Sequence, residues 1–501
     1  MLPWYQNLPF ICIFLCMVNG ITMPLYRRGR GAYAATVCVA LTVAALSAVL
    51  TGILSAGGER FVYKMGHFPA PWGNEIAAGP LEALLSCMFG LITALSLLGG
   101  RTAQRQDILE PKQPLYFVMI NLLLAALMAL TYTNDIFTGY VFIEISTISA
   151  CAIVMARDTA KTIAATIRYL VISLLGSGLF LIGIVLLYCV TGHLLMPNLQ
   201  QKILELWATG SYTEPLTVVV GLITVGVCIK SALFPFHAWL PLAHGGATTS
   251  SSAILSGLVL KAYIVLLIKI YCDVFTIEII RSLRIVDVLF VFGICSMIIG
   301  SLSAIREEHI KRMLAYSSVA QIGYVYLGIG MGTDAGLVAA FFQILAHAAT
   351  KPLLFLCAGR LTEVQGHEKS LYRLRGAAHA DKLAGVGFTL GALSMVGLPL
   401  LAGFMGKWLF ADAALAHPFR VWPALFALAA SSVLNAVYYI PAVIALWTPS
   451  SYMVHEPMQR DRQFDAAACV LMACVIALGI FSAPVKDLLT QGLRLMEGVL
   501  R

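Results

Sequence analysis

Residues Val225-Gly-Val-Cys-Ile-Lys230-Ser-Ala-Leu-Phe-Pro235-Phe-His237-Ala-Trp-Leu-Pro241 decide the fold class. A lysine closes an apolar run, and Pro235 and Pro241 follow it. Proline removes a backbone donor and clashes with the preceding turn, so a helix entering this stretch breaks. Inside a bilayer the freed backbone groups are tolerated only beside protein or water. A second stretch repeats the pattern: Gly397-Leu-Pro399-Leu-Leu-Ala-Gly403 precedes Gly406-Lys407. Paired interrupted apolar segments in the two halves of a chain point to an ion site built from repeats in a membrane.

Composition agrees with that reading. The chain has 501 residues, of which 59% are hydrophobic and only 12% charged. The charged share is about half that of a soluble domain, too small to cover a soluble surface. At about 20 apolar residues per helical span, apolar runs and turn signals give fourteen spans. Their approximate limits are 7–25, 32–55, 81–100, 114–132, 136–156, 162–190, 215–235, 249–271, 285–305, 312–332, 335–361, 383–411, 421–447 and 465–483. No basic segment precedes the first run, so 8–21 reads as a span rather than a cleaved signal.

Loop charges set the orientation. One set of alternate loops carries Arg27, Arg28 and Arg30; Arg101, Arg105 and Lys112; Arg157 and Lys161; Arg306, Lys311 and Arg312. It continues with Arg360, Lys369, Arg373, Arg375 and Lys382, then Arg460 and Arg462. That is eighteen basic residues against ten on the other side, which marks the first set as cytoplasmic. Both termini are then expected outside, in the cytoplasmic (inner) membrane of a prokaryote.

Several function classes drop out. The net charge of +8 reflects loop placement and implies no nucleic acid. The twelve cysteines include no C-x-x-C pair, and most lie in apolar runs as small hydrophobes, so no iron–sulfur cluster, zinc site or other cofactor is expected. No phosphate-binding glycine pattern points to ATP hydrolysis. An intramembrane transferase using His237, His244 or His347 lacks an acidic partner for its histidine.

Five basic residues remain inside spans: Arg168, Lys230, Lys261, Lys351 and Lys407, with Glu144 in Tyr140-Val-Phe-Ile-Glu144 as the deep acid. Each costs roughly 2.5–3.5 kcal/mol at a helix centre, so they should face one another or a hydrated interior. Arg168 sits near a span end, where it can snorkel to the surface or serve as a relay. Desolvation weakens a lysine's hold on its proton, and a nearby carboxylate restores it. A Glu–Lys pair that opens and closes therefore converts movement into proton uptake or release. His347-x3-Lys351 puts both side chains on one helix face, and Pro352 should bend that helix. Histidines suit intermediate carriers because they titrate near neutrality. His237 and His244 flank the seventh and eighth spans as uptake groups or helix caps.

At these residues the chain resembles the antiporter-like membrane subunits shared by respiratory complex I, membrane-bound hydrogenases and formate hydrogenlyases, and Mrp-type sodium/proton antiporters. The resemblance runs over about 115–410. It rests on Lys230–His244, Ser252-Ala-Ile-Leu-Ser-Gly-Leu-Val-Leu-Lys261, Lys311-Arg-Met-Leu-Ala-Tyr-Ser-Ser-Val-Ala-Gln-Ile-Gly-Tyr324, His347–Lys351 and Gly397–Lys407. The loop Phe68-Pro-Ala-Pro-Trp-Gly73 resembles the Mrp D-type and hydrogenase branch.

The resemblance implies an all-α integral membrane protein with about fourteen transmembrane helices and two inverted five-helix repeats, spans 4–8 and 9–13. Helices 7 and 12 are broken at Pro235 and Pro399. The organisation follows as 1–113 for spans 1–3, 114–275 and 276–448 for the repeats, and 449–501 for span 14 and a short tail. By motif, Glu144 and Lys230 match the family's gating pair, Lys261 its central lysine and Lys407 the terminal group. The function implied is translocation of protons, and possibly Na⁺, with other membrane subunits as partners. Lysine at 407 argues against the M-type subunit of complex I, and the tail after Pro484 is short for the lateral helix of the L-type. An Mrp D-like or hydrogenase-associated subunit is expected first; an N-type complex I subunit or a stand-alone secondary transporter are the alternatives. Two departures stand out: Gly245-Gly-Ala-Thr-Thr-Ser-Ser251 where relatives carry prolines, and Tyr263 where they carry glycine. The eighth helix should therefore start or bend differently.

Overall fold

The computed structural model describes residues 3–26, 29–57, 59–68, 73–416, 419–449 and 460–497. Arg27, Arg28 and the 69–72 part of the Phe68–Gly73 motif lie outside the described residues.

Long apolar runs fold into long helices: α1 (Leu8–Thr22), α2 (Gly29–Ser55), α3 (Pro80–Gly99), α4 (Gln113–Tyr132), α5 (Ile136–Met155), α6 (Ala160–Thr191) and α7 (Thr213–Lys230). They continue as α8 (Thr249–Phe275), α9 (Ile285–Ile305), α10 (Ile310–Gly330) and α11 (Asp334–Val364). The chain ends in α12 (Lys382–Val396), α13 (Ala402–Leu415), α14 (Val421–Trp447), α15 (Arg462–Ile480) and α16 (Ser482–Glu497). Among the described residues, twelve helical segments are long and apolar enough to cross a membrane. α10 and the pair α12–α13 are not among them. α10 carries Lys311, Arg312, Gln321 and several serines and tyrosines, while α12 and α13 are each too short.

Side-chain caps fix the helix starts. Asp135 accepts from the Thr138 amide at 2.7 Å, Thr248 from Ser251 at 3.1 Å and Thr333 from Gly336 at 3.1 Å, each satisfying a donor that the first turn leaves unpaired. Thr248 thus caps the start of α8. That helix then widens into a π turn over Leu255–Val259, just before Lys261.

α8 and α11 bury every residue of their apolar windows and form the centre. α1, α2, α6, α14 and α15 surround them with apolar side chains turned outward, among them Phe14, Leu175, Phe426 and Ile444. An apolar exterior on this scale suits lipid rather than water. Inside, small residues let backbones touch: a Cβ at Gly323 of α10 would meet the Gly293 carbonyl of α9 at 2.7 Å, the close approach typical of membrane helices.

Polar contacts gather the loops into two groups. Arg157 pairs with Asp107, Lys112 with Asp158, Thr102 bonds Asp461, Tyr33 bonds Gln463, and Ile310 donates to the Lys369 carbonyl. The second group joins Arg60 to Asp273 and Glu82, Asn134 to the Glu75 carbonyl, and Arg420 to Asp287.

Two features were not anticipated. The Gly57–Gly79 loop holds a short antiparallel hairpin, Phe61–Lys64 against Glu75–Ala78. The short tail contains α16, which inserts Leu489, Leu493 and Met496 into the core.

Candidate functional site

The breaks read from the prolines are present. α7 ends on Lys230, and the chain turns through Pro235 into a short helix, Trp239–Gly246. α12 ends at Val396, Gly397 and Leu400 take positive φ (102° and 72°), and α13 starts at Ala402. Pro352 of α11 does not interrupt its helix.

Lys230 is buried. Its Nζ donates to Thr147 Oγ1 at 2.6 Å and to Glu144 Oε1 at 3.4 Å. Glu144 is more open, with its side chain 22% exposed. The carboxylate thus stands at the edge of the site and the lysine inside it. The Lys230 ammonium also lies over the Tyr263 ring, 5.8 Å from its centre, and the Tyr263 hydroxyl is 3.0 Å from Ser146 Oγ. Tyr263 therefore joins α8 to the pair on α5 and α7.

Further along α8, the fully buried Lys261 donates to the Ser256 carbonyl, and Ser256 Oγ lies 2.8 Å from Ser318 Oγ of α10. The π turn supplies that acceptor, because widening a turn releases carbonyls from the helical ladder. Lys351 of α11, also fully buried, donates to the Leu314 carbonyl at 2.9 Å and to the Tyr439 hydroxyl at 3.2 Å. Tyr439 reaches Ser317 at 2.9 Å. Its neighbour Tyr438 donates to Asn435 at 2.7 Å, and Asn435 donates to the Met395 carbonyl at the end of α12. Lys407 of α13 donates to that same carbonyl at 3.1 Å and to Val396 at 2.6 Å.

Glu144, Lys230, Lys261, Lys351 and Lys407 thus sit along one thread of polar groups crossing α5, α7, α8, α10, α11, α14, α12 and α13. His347 lies one turn before Lys351, buried, and neither ring nitrogen has a protein partner among the described residues. His244 is buried as well, stacked on Phe355 at 4.8 Å and without a protein partner for either ring nitrogen among the described residues. It caps no helix through its ring. His237 is half-buried in the turn after Pro235, with its ring 6.3 Å from that of Tyr316. Arg168 is exposed on α6 and lines a crevice that none of the thread's lysines lines.

Sequence reasoning did not single out Lys269 among the buried cations, although it falls near the end of the 249–271 span. It is wholly buried in α8 and donates to the Thr131 carbonyl at 2.9 Å. Its position near the end of an apolar run hid that, because a span-end lysine ordinarily reaches water. Lys311 is likewise buried, donating to the Ala247 carbonyl and Thr249 Oγ1 at 3.3 Å each. Gln321 and Gln343, 2.5 Å apart, and the hydroxyls of Tyr263 and Tyr439 were also missed.

Residues 133–434 match the profile described as NADH:quinone oxidoreductase/Mrp antiporter, TM. The N-type subunit of NADH-quinone oxidoreductase from Desulforudis audaxviator is 32% identical over 412 residues, covering 81% of this chain and 79% of that protein. The D-type subunit of a Na⁺/H⁺ antiporter from Alkalihalophilus pseudofirmus is 27% identical, covering 76% and 72%. A chain of the membrane-bound sulfane sulfur reductase, an archaeal respiratory membrane complex, superposes with a TM-score of 0.85 at 26% identity, covering 98% and 97%. The family profile spans more than half of the sequence, including both breaks and every lysine of the thread, so the chain belongs to the NADH:quinone oxidoreductase/Mrp antiporter transmembrane family.

Proposed function

We propose that this multi-pass membrane protein is an ion-translocating, antiporter-like subunit of a larger membrane complex. Glu144 and Lys230 form its gate, and Lys261, His347, Lys351 and Lys407 its relay. One observation carries the reading: four buried or half-buried lysines on four helices follow one another from a partly exposed carboxylate, linked by hydroxyl, amide and carbonyl hydrogen bonds, by the Lys230–Tyr263 contact and chain adjacency of Tyr263 to Lys261, and by the Tyr438–Tyr439 ring contact. Hydroxyls and imidazoles both donate and accept, so a proton can pass between such groups without a permanent charge at each step. Unpartnered buried atoms, including both nitrogens of His244 and His347 and the Tyr324 hydroxyl, mark where water would complete the line.

The chain crosses the membrane fourteen times in this reading, α10 and the α12–α13 pair supplying the two crossings that apolarity alone misses. Spans 4–8 and 9–13 are the two repeats, and the breaks at Lys230 and before Lys407 stand five spans apart. The two loop groups support alternation of successive spans. The strongly basic group faces the cytoplasm and the termini face outward.

The partners are other membrane subunits, and the transported ion is H⁺, with Na⁺ as an exchange partner in an Mrp-type assembly. The higher identity to an N-type relative keeps the complex I-type reading beside it. Reconstituting the intact complex in proteoliposomes tests the proposal. Glu144→Gln should abolish coupled ion transport while all subunits remain assembled; wild-type transport in that variant would overturn the gate.

A further inference from the structure

The face holding the basic loops contains a crevice of about 680 Å³ that the ion line does not use. Arg157, Lys161, Arg168, His309, Arg312 and Lys369 line it. Arg157 pairs with Asp107 at 3.0 Å, and Arg312 stands 3.9 Å from Glu307. Among the described residues, Lys161, Arg168 and Lys369 have no carboxylate within salt-bridge distance. Burial lowers the pKa of the Lys369 amine, and Arg157 and Lys161 press it further down against the opposing pull of Asp107. Burial, then Lys369, Arg312 and Lys311, push His309 down to about 4, so it stays neutral at pH 7.

The walls are firmly built. Loop 306–310 is tied to 369–371 by Ile310 donating to the Lys369 carbonyl at 3.0 Å and Leu371 to Glu308 at 2.9 Å. The floor is close-fitting: a Cβ at Gly245 would meet Arg312 Nε at 3.2 Å, and one at Gly246 would meet the Thr162 side chain at 2.9 Å. This shape and charge suit an anion. They repel a cation, which argues against this crevice as the ion mouth that Arg168 suggests.

The crevice opens onto α6, one of the most outward-facing helices. Ile167, Val171, Leu174 and Leu175 are all more than half exposed; Val171 and Leu175 continue the face that carries Lys161 and Arg168, and Ile167 and Leu174 flank it. At about 1.5 Å per residue, that stripe runs about 10 Å, or roughly two turns, down the helix from the charged cluster. A cationic pocket leading into an apolar, lipid-facing strip matches a molecule with an anionic head and acyl tails.

We propose that this crevice binds the phosphate headgroup of an anionic phospholipid, with its acyl chains along α6. The site rests on the membrane-spanning reading of the fold, not on the ion line, so a Lys230→Ala protein should bind the lipid unchanged.

The test uses the full chain in nanodiscs containing phosphatidylcholine with or without phosphatidylglycerol, followed by native mass spectrometry. Phosphatidylglycerol should be retained preferentially. Lys161→Gln and Lys369→Gln should each lower retention about fivefold, the effect of one basic residue near an anionic lipid surface. A fluorophore on Ala164→Cys, which keeps every charge, should be quenched more by spin-labelled phosphatidylglycerol than by spin-labelled phosphatidylcholine. Equal retention of the two lipids, or retention indifferent to both substitutions, would overturn the site. Displacement of the lipid by millimolar inorganic phosphate would show a free-anion site instead. Cross-linking of residue 164 to an acidic subunit in the intact complex, with no lipid retained, would also overturn it.

Discussion

Lys407 donates to the Val396 carbonyl at 2.6 Å, so the second half of a broken helix closes the open end of the first. The last carbonyls of a helix have no partner within it, and a cation there also complements the helix dipole. Lys407→Ala should therefore stop transport and also weaken the break. Loss of the two charged hydrogen bonds costs roughly 1.5–3 kcal/mol each at most, so the purified protein should melt several degrees earlier. Lys407→Arg should restore the melting temperature more than the transport. If Lys407→Ala pumps normally in proteoliposomes, the lysine is only a cap.

The gate makes a second prediction. Lys230 lies closer to Thr147 than to Glu144, so the hydroxyl competes with the carboxylate for the ammonium. Thr147→Val should tighten the Glu144–Lys230 pair and slow transport about ten- to a hundredfold, since a hydrogen bond to a charged group is worth about 1.5–3 kcal/mol. Lys230→Ala should abolish it. A Thr147→Val rate equal to wild type would show that the hydroxyl takes no part.

Arg60 supports the opposite end of the fold. Its guanidinium pairs with Asp273 at 2.6 Å and Glu82 at 3.2 Å, all three nearly buried. Burial opposes its charge, but Asp273 and then Glu82 outweigh that and raise its pKa. Arg60→Ala leaves two carboxylates without their cation, a change that costs about 3–5 kcal/mol at buried pairs. Thermal unfolding should show a large loss; a change of a degree or less would mean water replaces the guanidinium.

At Gly403 the constraint is steric. A Cβ there would meet the Ser394 carbonyl oxygen at 1.8 Å. Gly403→Ala should force α12 and α13 apart, destabilising the protein by about 1–3 kcal/mol and reducing transport along with Lys407→Ala. Normal melting and transport would show that the break adapts freely.

Much of this was legible in the sequence because bilayers punish charge and broken backbone so heavily. Pro235 after Lys230, and Pro399 before Lys407, marked the two helix breaks. The partners were less legible. Nothing in local sequence says that Lys351 will find the Leu314 carbonyl or the Tyr439 hydroxyl, 88 residues away. Lys269 and Lys311 were hidden for another reason: at a span's end, an inward-turned lysine and a snorkelling one read alike. The hairpin at Phe61–Lys64 is only four residues a strand, too short for alternation to signal it.

The thread described above holds four lysines and, among the described residues, one carboxylate within salt-bridge reach of them. The other three lysines donate to backbone carbonyls and, for Lys351, to the Tyr439 hydroxyl, which offer dipoles but no countercharge. Like charges repel strongly where water is scarce. On the proposed relay role, the line would have more seats for protons than it can fill at once. A proton taken up at the Glu144 end would then raise the energy of those already seated, and the easiest relief would be departure at the far end by Lys407. Scarcity of acid, rather than any single lysine, would give such a line its one-in, one-out character.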